Sequence, residues 1–119
     1  MDSSQQVSPS LAAALDRLWE RHLPEIEERL AAIESAAAAT AAGTLSPGQR
    51  QAAHSAAHNL AGVLGTFGLA EGTGPAREIE HLYAAETAPA REDGPRLASI
   101  AATLRSLVQS RKPPQTPAK

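Results

Sequence analysis

Apolar side chains recur three and four residues apart along most of this chain, and that period commits it to helices. Leu11, Leu15, Leu18 and Trp19, with His22 one turn on, form a first stripe. Ile26, Leu30, Ile33 and Ala37 form a second, and Ile79, Leu82 and Tyr83 another. Leu97, Ile100, Leu104, Leu107 and Val108 form the last. Composition agrees: there are 26 Ala and 13 Leu against one each of Phe, Trp and Tyr. Alanine is the best helix former because ordering it costs no side-chain entropy, whereas the residues that pack well on pleated sheets are sparse. The expected fold class is all-α. Small side chains let helices approach closely, and 119 residues suffice for one slim domain.

Capping and breaking residues divide the stripes. Ser8-Pro9 offers an N-cap followed by proline in the first turn. Pro24 interrupts the stripe that begins there; inside a helix proline costs about 3 kcal/mol, so a kink or a restart near residue 23 is expected. Glu25, Glu27 and Glu28 would suit the positive end of a restarted helix running to about Ala42, with Gly43 as its C-cap. Ser46-Pro47-Gly48-Gln49 reads as a capping box, which predicts a helix over 47–67 ended by Gly68. Ala70-Glu71-Gly72-Thr73-Gly74-Pro75 is loop-like or a poor first turn. A short helix should then end near Glu86, Ala88-Pro89 breaks the chain, and a last helix should reach about Arg111. Short connections make neighbouring helices antiparallel. The expected architecture is an antiparallel up-down four-helix bundle with an additional N-terminal helix continuing into the first bundle helix. Residues 1–8 are expected to be a disordered N-terminus, 9–111 the bundle, and 112–119 a Pro-rich tail or linker.

The formal charge of −2 gives no basic footprint for nucleic acid. No cysteine is present, which excludes disulfides, thiolate nucleophiles and cysteine-ligated metals. No apolar run approaches the roughly 20 residues of a membrane span, and the N-terminus lacks a signal-peptide pattern. A cytoplasmic, monomeric protein is expected, with no membrane partner.

The segment 47–67 is unusual. With His58 at the origin of a helical wheel, Ala56, Leu60, Val63 and Phe67 fall at about 140–200°. The apolar face is therefore opposite His58, and the imidazole should point to solvent. On its own side lie Gln51, His54, Ala61, Gly62 and Gly65. Glycine in a helix interior costs up to about 1 kcal/mol relative to alanine, so two of them on an exposed face put local propensity in conflict with the fold. Such a face leaves the imidazole clear for another surface to dock flat over it. Between Glu34 and Glu71 there are 36 residues without Asp or Glu, and a site for a doubly charged phosphoryl group would exclude carboxylates. His54 and His58 at i, i+4 could share a zinc ion, but no third ligand is visible, and no metal site is expected. His22 on the apolar stripe is expected to be structural. His81, Arg77, Glu78 and Glu80 read as an ordinary solvated face, and Trp19 and Phe67 as core.

The run His58-Asn59-Leu60-Ala61-Gly62-Val63-Leu64-Gly65-Thr66-Phe67-Gly68-Leu69 resembles the signature of histidine-containing phosphotransfer (Hpt) domains: His, Leu at +2, Lys commonly at +3, Gly at +4 and Gly at +10. Leu60, Gly62 and Gly68 occupy the matching positions, and Ala57 and Ile79-Glu80-His81-Leu82 also fit the pattern. The resemblance covers about 8–108. It implies that His58 carries a phosphoryl group on Nε2 between aspartates of receiver domains, or from a histidine kinase, as a phosphocarrier rather than an enzyme. It implies that Gln51, His54, Ala61, Gly62 and Gly65 surround the phosphoryl group or the docked partner. Ala61 stands where the family has Lys, which implies either a less stable phosphohistidine or a role passed to Arg50, Gln51 or His54. The chain shows no carboxylate cluster for Mg²⁺ and no phosphate-cradling loop, so the resemblance implies that the receiver supplies Mg²⁺ and alignment. Two other readings stay open: a helical module that binds a receiver or kinase without carrying phosphate, and a metal- or small-ligand-binding bundle.

Overall fold

The computed structural model describes residues 9–111. The expectations for 1–8 and 112–119 lie outside the described residues. Four helices follow one another: α1 (Pro9–Ala42), α2 (Pro47–Thr66), α3 (Thr73–Ala84) and α4 (Gly94–Ser110). Short 3₁₀ turns at Ala70–Gly72 and Arg91–Asp93 lead into α3 and α4. Helix α2 packs between α1 and α3, and α4 closes the bundle against α1 and α3.

The restart near residue 23 does not occur. Helix α1 runs through Pro24 without interruption, so the additional N-terminal helix is its first three turns. Pro24 and Glu20 are both exposed, so the carbonyl freed by the missing N–H is not sealed in the core. At about 1.5 Å per residue α1 is close to 50 Å long, and its first buried residue is Trp19. The stretch before it carries the exposed Leu11 and Leu18.

The helix ends are built as the residues at them require. Ser46 Oγ accepts from Gln49 N (3.0 Å) and Ser46 N donates to Gln49 Oε1 (2.9 Å), completing the capping box. Helices α1 and α2 end alike. Gly43 (φ 76°) donates to Thr40 O while Thr44 N donates to Ala39 O. Gly68 (φ 82°) donates to Gly65 O while Leu69 N donates to Leu64 O. Both are Schellman closures, whose left-handed residue favours glycine.

The core draws Trp19, Ile26, Leu30 and Ile33 from α1, Leu60 and Leu64 from α2, Ile79 and Tyr83 from α3, and Leu97 and Leu104 from α4. The rest of the buried face of α2 is alanine: Ala53, Ala56, Ala57 and Ala61. Trp19 meets Phe67 edge-on at 5.2 Å, and the Arg111 guanidinium lies over both rings. Arg111 also pairs with Asp16, which ties the end of α4 to α1. His22 corrects its expected structural role: it is exposed, with Nδ1 3.7 Å from Glu25. It lies at the margin of the stripe, where its ring tilts over Phe67 at 6.2 Å. No helix among the described residues is long and apolar enough to cross a membrane.

Two polar or close contacts fix the helix packing. Thr40 Oγ1 donates to Ala36 O (2.8 Å) and lies 3.0 Å from the Tyr83 hydroxyl, joining α1 to α3 inside the core. Burial pushes the Tyr83 phenol above its ordinary value of 10.0. A phenol whose pKa is raised by folding contributes stability that is complete below the ordinary value and is lost as pH climbs through the folded one. Tyr83→Phe should therefore lower unfolding free energy at pH 8 by about 1 kcal/mol and flatten the loss of stability above pH 10, as read by urea denaturation at both pH values. At the other contact, a Cβ on Gly94 would lie 2.5 Å from Ala41 Cα. Backbone cannot yield there as a flexible side chain can, so Gly94→Ala should cost about 2 kcal/mol in a thermal melt.

Candidate functional site

The site follows from how α2 and α3 align. The turn between them is centred near Leu69, so antiparallel packing sets residue 58 opposite residue 80. The other contacts of the pair lie about one helical turn from that register. Arg50 reaches Tyr83 O and Ala85 O at one end, His58 meets Glu80 in the middle, and Thr73 Oγ1 donates to Ala61 O (3.3 Å) at the other.

His58 stands on the outer side of α2, between the fully buried Ala57 and Leu60 on the inner side. Its side chain is 65% exposed, and Nδ1 lies 2.8 Å from Glu80 Oε2. A carboxylate only accepts hydrogen bonds, so Nδ1 carries the proton and donates. That fixes the neutral tautomer whose lone pair is on Nε2, the nitrogen on the other side of the ring. Glu80 is itself only 21% exposed, because Ile79 and Tyr83 beside it are anchored in the core. His54, one turn earlier and half-buried, brings Nε2 to 4.0 Å from the same carboxylate oxygen. The two imidazoles thus share one carboxylate oxygen.

The other expected residues divide. Gln51 is exposed, and its Nε2 donates along the helix to Ser55 Oγ at 3.4 Å. Gly62 is exposed, with open space where a Cβ would project, and a Cβ on Gly65 would make only an ordinary 3.9 Å contact with Thr73 Oγ1. No neighbouring helix presses on either glycine. Together they keep the surface next to His58 free of side chains.

Three expectations are corrected. Ala61 is 4% exposed and belongs to the core, because α3 covers it and takes its carbonyl through Thr73. Arg50 does not support charge at His58: its Nε donates to Tyr83 O at 2.9 Å and its terminal nitrogen to Ala85 O, so it caps the last turn of α3. The site is also not free of carboxylates, since α3 delivers Glu80 across the groove. The carboxylate is tolerated because it engages Nδ1 and leaves the Nε2 side open. Glu80, expected from sequence to be part of an ordinary solvated face, thus joins the candidate site. Its signal was the register, since residue 69 lies midway between 58 and 80.

On the flank toward α1, Glu28, Arg29 and Ala32 face Ala52, Ser55, Ala56 and Asn59 across a shallow groove. Among the described residues no group of three or more His, Cys, Asp or Glu is arranged to hold a metal ion.

A family model described as "Hpt domain" matches residues 17–111. No curated protein and no solved structure matches the chain.

If Glu80 fixes the tautomer, ¹⁵N-detected NMR of the imidazole above pH 8 should show Nδ1–H as the main form of His58. Glu80→Ala should shift the ring toward a mixture with Nε2–H, without a large change in thermal stability. Equal tautomer populations in the two proteins would contradict the assignment.

Proposed function

We propose that this chain, which belongs to the Hpt domain family, takes a phosphoryl group onto Nε2 of His58 from one partner aspartate and passes it to another. The family carries phosphoryl groups on histidine in two-component signalling, and its members are phosphocarriers rather than catalysts. The observation that carries the assignment to His58 is the 2.8 Å contact between Nδ1 and Glu80 on an otherwise exposed ring.

The transfer needs little from this protein. The lone pair on Nε2 attacks the phosphorus of an aspartyl phosphate, the Nε2–P bond forms, and the O–P bond breaks to leave a carboxylate. The ring becomes cationic as the new bond forms, and the Glu80 carboxylate on Nδ1–H stabilises that charge. Delivery to the next aspartate is the reverse sequence. In-line alignment and the divalent metal, Mg²⁺, come from the receiver domain that holds the aspartate. The receiver, or the kinase domain, docks over the side-chain-free strip at Gly62 and Gly65 and extends toward α1 across Asn59 and Ser55. On this reading the chain acts as a monomer beside its partners in the cytoplasm, and it needs neither nucleic acid nor membrane.

Ala61 in place of the family's lysine supports a second reading, a module that binds receivers without carrying phosphate. One experiment separates the two. Incubated with a ³²P-phosphorylated receiver domain, the wild-type protein should acquire an acid-labile, base-stable label. His58→Gln should label at least about 100-fold less, since the nucleophile itself is gone. Equal labelling of the two would defeat the relay reading. Receiver binding that survives His58→Ala, with no transferable label on the wild type, would favour the second.

A further inference from the structure

The cation that the family places three residues after its histidine is missing here, and the structure shows which side chain is free to replace it. Both lysines, Lys112 and Lys119, lie outside the described residues, so every described cation other than histidine is one of nine arginines. Five are engaged. Arg29 pairs with Glu25, Arg96 with Glu78, Arg105 with Glu27 and Glu34, Arg111 with Asp16, and Arg50 caps α3. Arg17 and Arg21 lie together on the N-terminal part of α1, beside Ala14 and Leu18. Arg91 packs over Gly43 at the end of α1.

Arg77 remains. It is exposed and makes no ion pair or hydrogen bond among the described residues. The acidic residues nearest to it on α3 are already held, Glu78 by Arg96 and Glu80 by His58. Arg77 shares a cleft with Glu80, His81 and Ala84. It lies one turn from Glu80 on α3 and one turn from Thr73, whose hydroxyl meets Ala61 O. Those two contacts bracket Arg77 between the levels of residues 57 and 61 of α2, on the helix facing the position of the absent lysine.

The geometry points to Arg77 as the phosphoryl-binding cation of phospho-His58, delivered from α3 instead of α2. The inference rests on His58 being the carrier. An arginine serves the purpose because its fork of donors matches phosphoryl oxygens bidentately and never loses its charge. It also offsets the repulsion between the Glu80 carboxylate and the incoming dianion.

Phosphoramidate tests both claims without the natural partner. Nε2 attacks phosphorus, the P–N bond of the reagent breaks, ammonia leaves, and the Nδ1 proton stays with the ring. Phosphohistidine formation and decay are followed by ³¹P NMR in the wild type, His58→Gln, Arg77→Ala and Arg77→Lys. The wild type should form one phosphohistidine resonance that His58→Gln lacks. Arg77→Ala should shift that resonance and shorten its half-life about fivefold, the loss expected for one charge-assisted contact. Arg77→Lys should restore most of the half-life, and the thermal melt of all three arginine-site proteins should coincide because Arg77 has no structural partner. An unchanged resonance and half-life in Arg77→Ala would overturn the role of Arg77 while leaving His58 as carrier. Absence of the resonance from the wild type would overturn both.

Discussion

Close approach of α1 and α3 to α2 is the constraint on which everything else rests. It is possible because the inward face of α2 is mostly alanine, with Leu60 and Leu64 as its only fully buried large residues. Small residues let two helices close on a third from both sides. What remains outside is a narrow strip of α2, and His58, Gly62 and Gly65 occupy it. A bulkier inward face would push α3 outward and carry Glu80 beyond hydrogen-bond distance of Nδ1. Packing in the core thus sets a distance at the surface, and that distance determines which imidazole nitrogen keeps its lone pair.

The His58–Glu80 pair shows how an exposed group can be preorganised. An imidazole in water divides its proton between two nitrogens, and only one tautomer has a free lone pair on Nε2. Glu80 makes that selection from a partly buried position, its backbone held by Ile79 and Tyr83 in the core and by Arg50 at the last turn of α3. A surface ion pair contributes little to stability. Its value here lies in orienting the ring and, in the proposed transfer, in holding charge as a bond forms on the opposite nitrogen.

Much of this was legible in the sequence, for physical reasons that differ by element. The Ser46–Gln49 capping box and the glycines at 43 and 68 are local chemistry, determined by neighbours in the chain, and they fall where expected. The outward direction of His58 followed from the 3.6-residue period alone, because Leu60, Leu64 and Ala57 fix the inward side. Which of the two expected outcomes at Pro24, a kink or a restart, would hold was not legible, since a proline's local penalty is set against the packing of Ile26, Leu30 and Ile33 on the other helices, which only the assembled bundle supplies. The wheel also placed Ala61 beside His58 on the exposed side. It failed there because a wheel has one inside, whereas α2 is covered from two directions and α3 reaches past the apolar centre to residue 61. Arg50 and Glu80 were missed through the same omission: each acts across the α2–α3 groove, and their partners are 33 and 22 residues away.

That two-sided burial also accounts for the departure at residue 61. A lysine there would start from a buried position, Ala61 being only 4% exposed, and would have to lead its stem out between α2 and α3. Alanine lets α3 come close enough for Thr73 Oγ1 to reach Ala61 O. The same closeness brings the α3 side chains one turn from Glu80 level with His58. Tight packing of this pair therefore removes the room for a cation on α2, which is why the proposed phosphoryl-binding cation is sought on α3. The substitution at 61 is thus a consequence of one short interhelical distance.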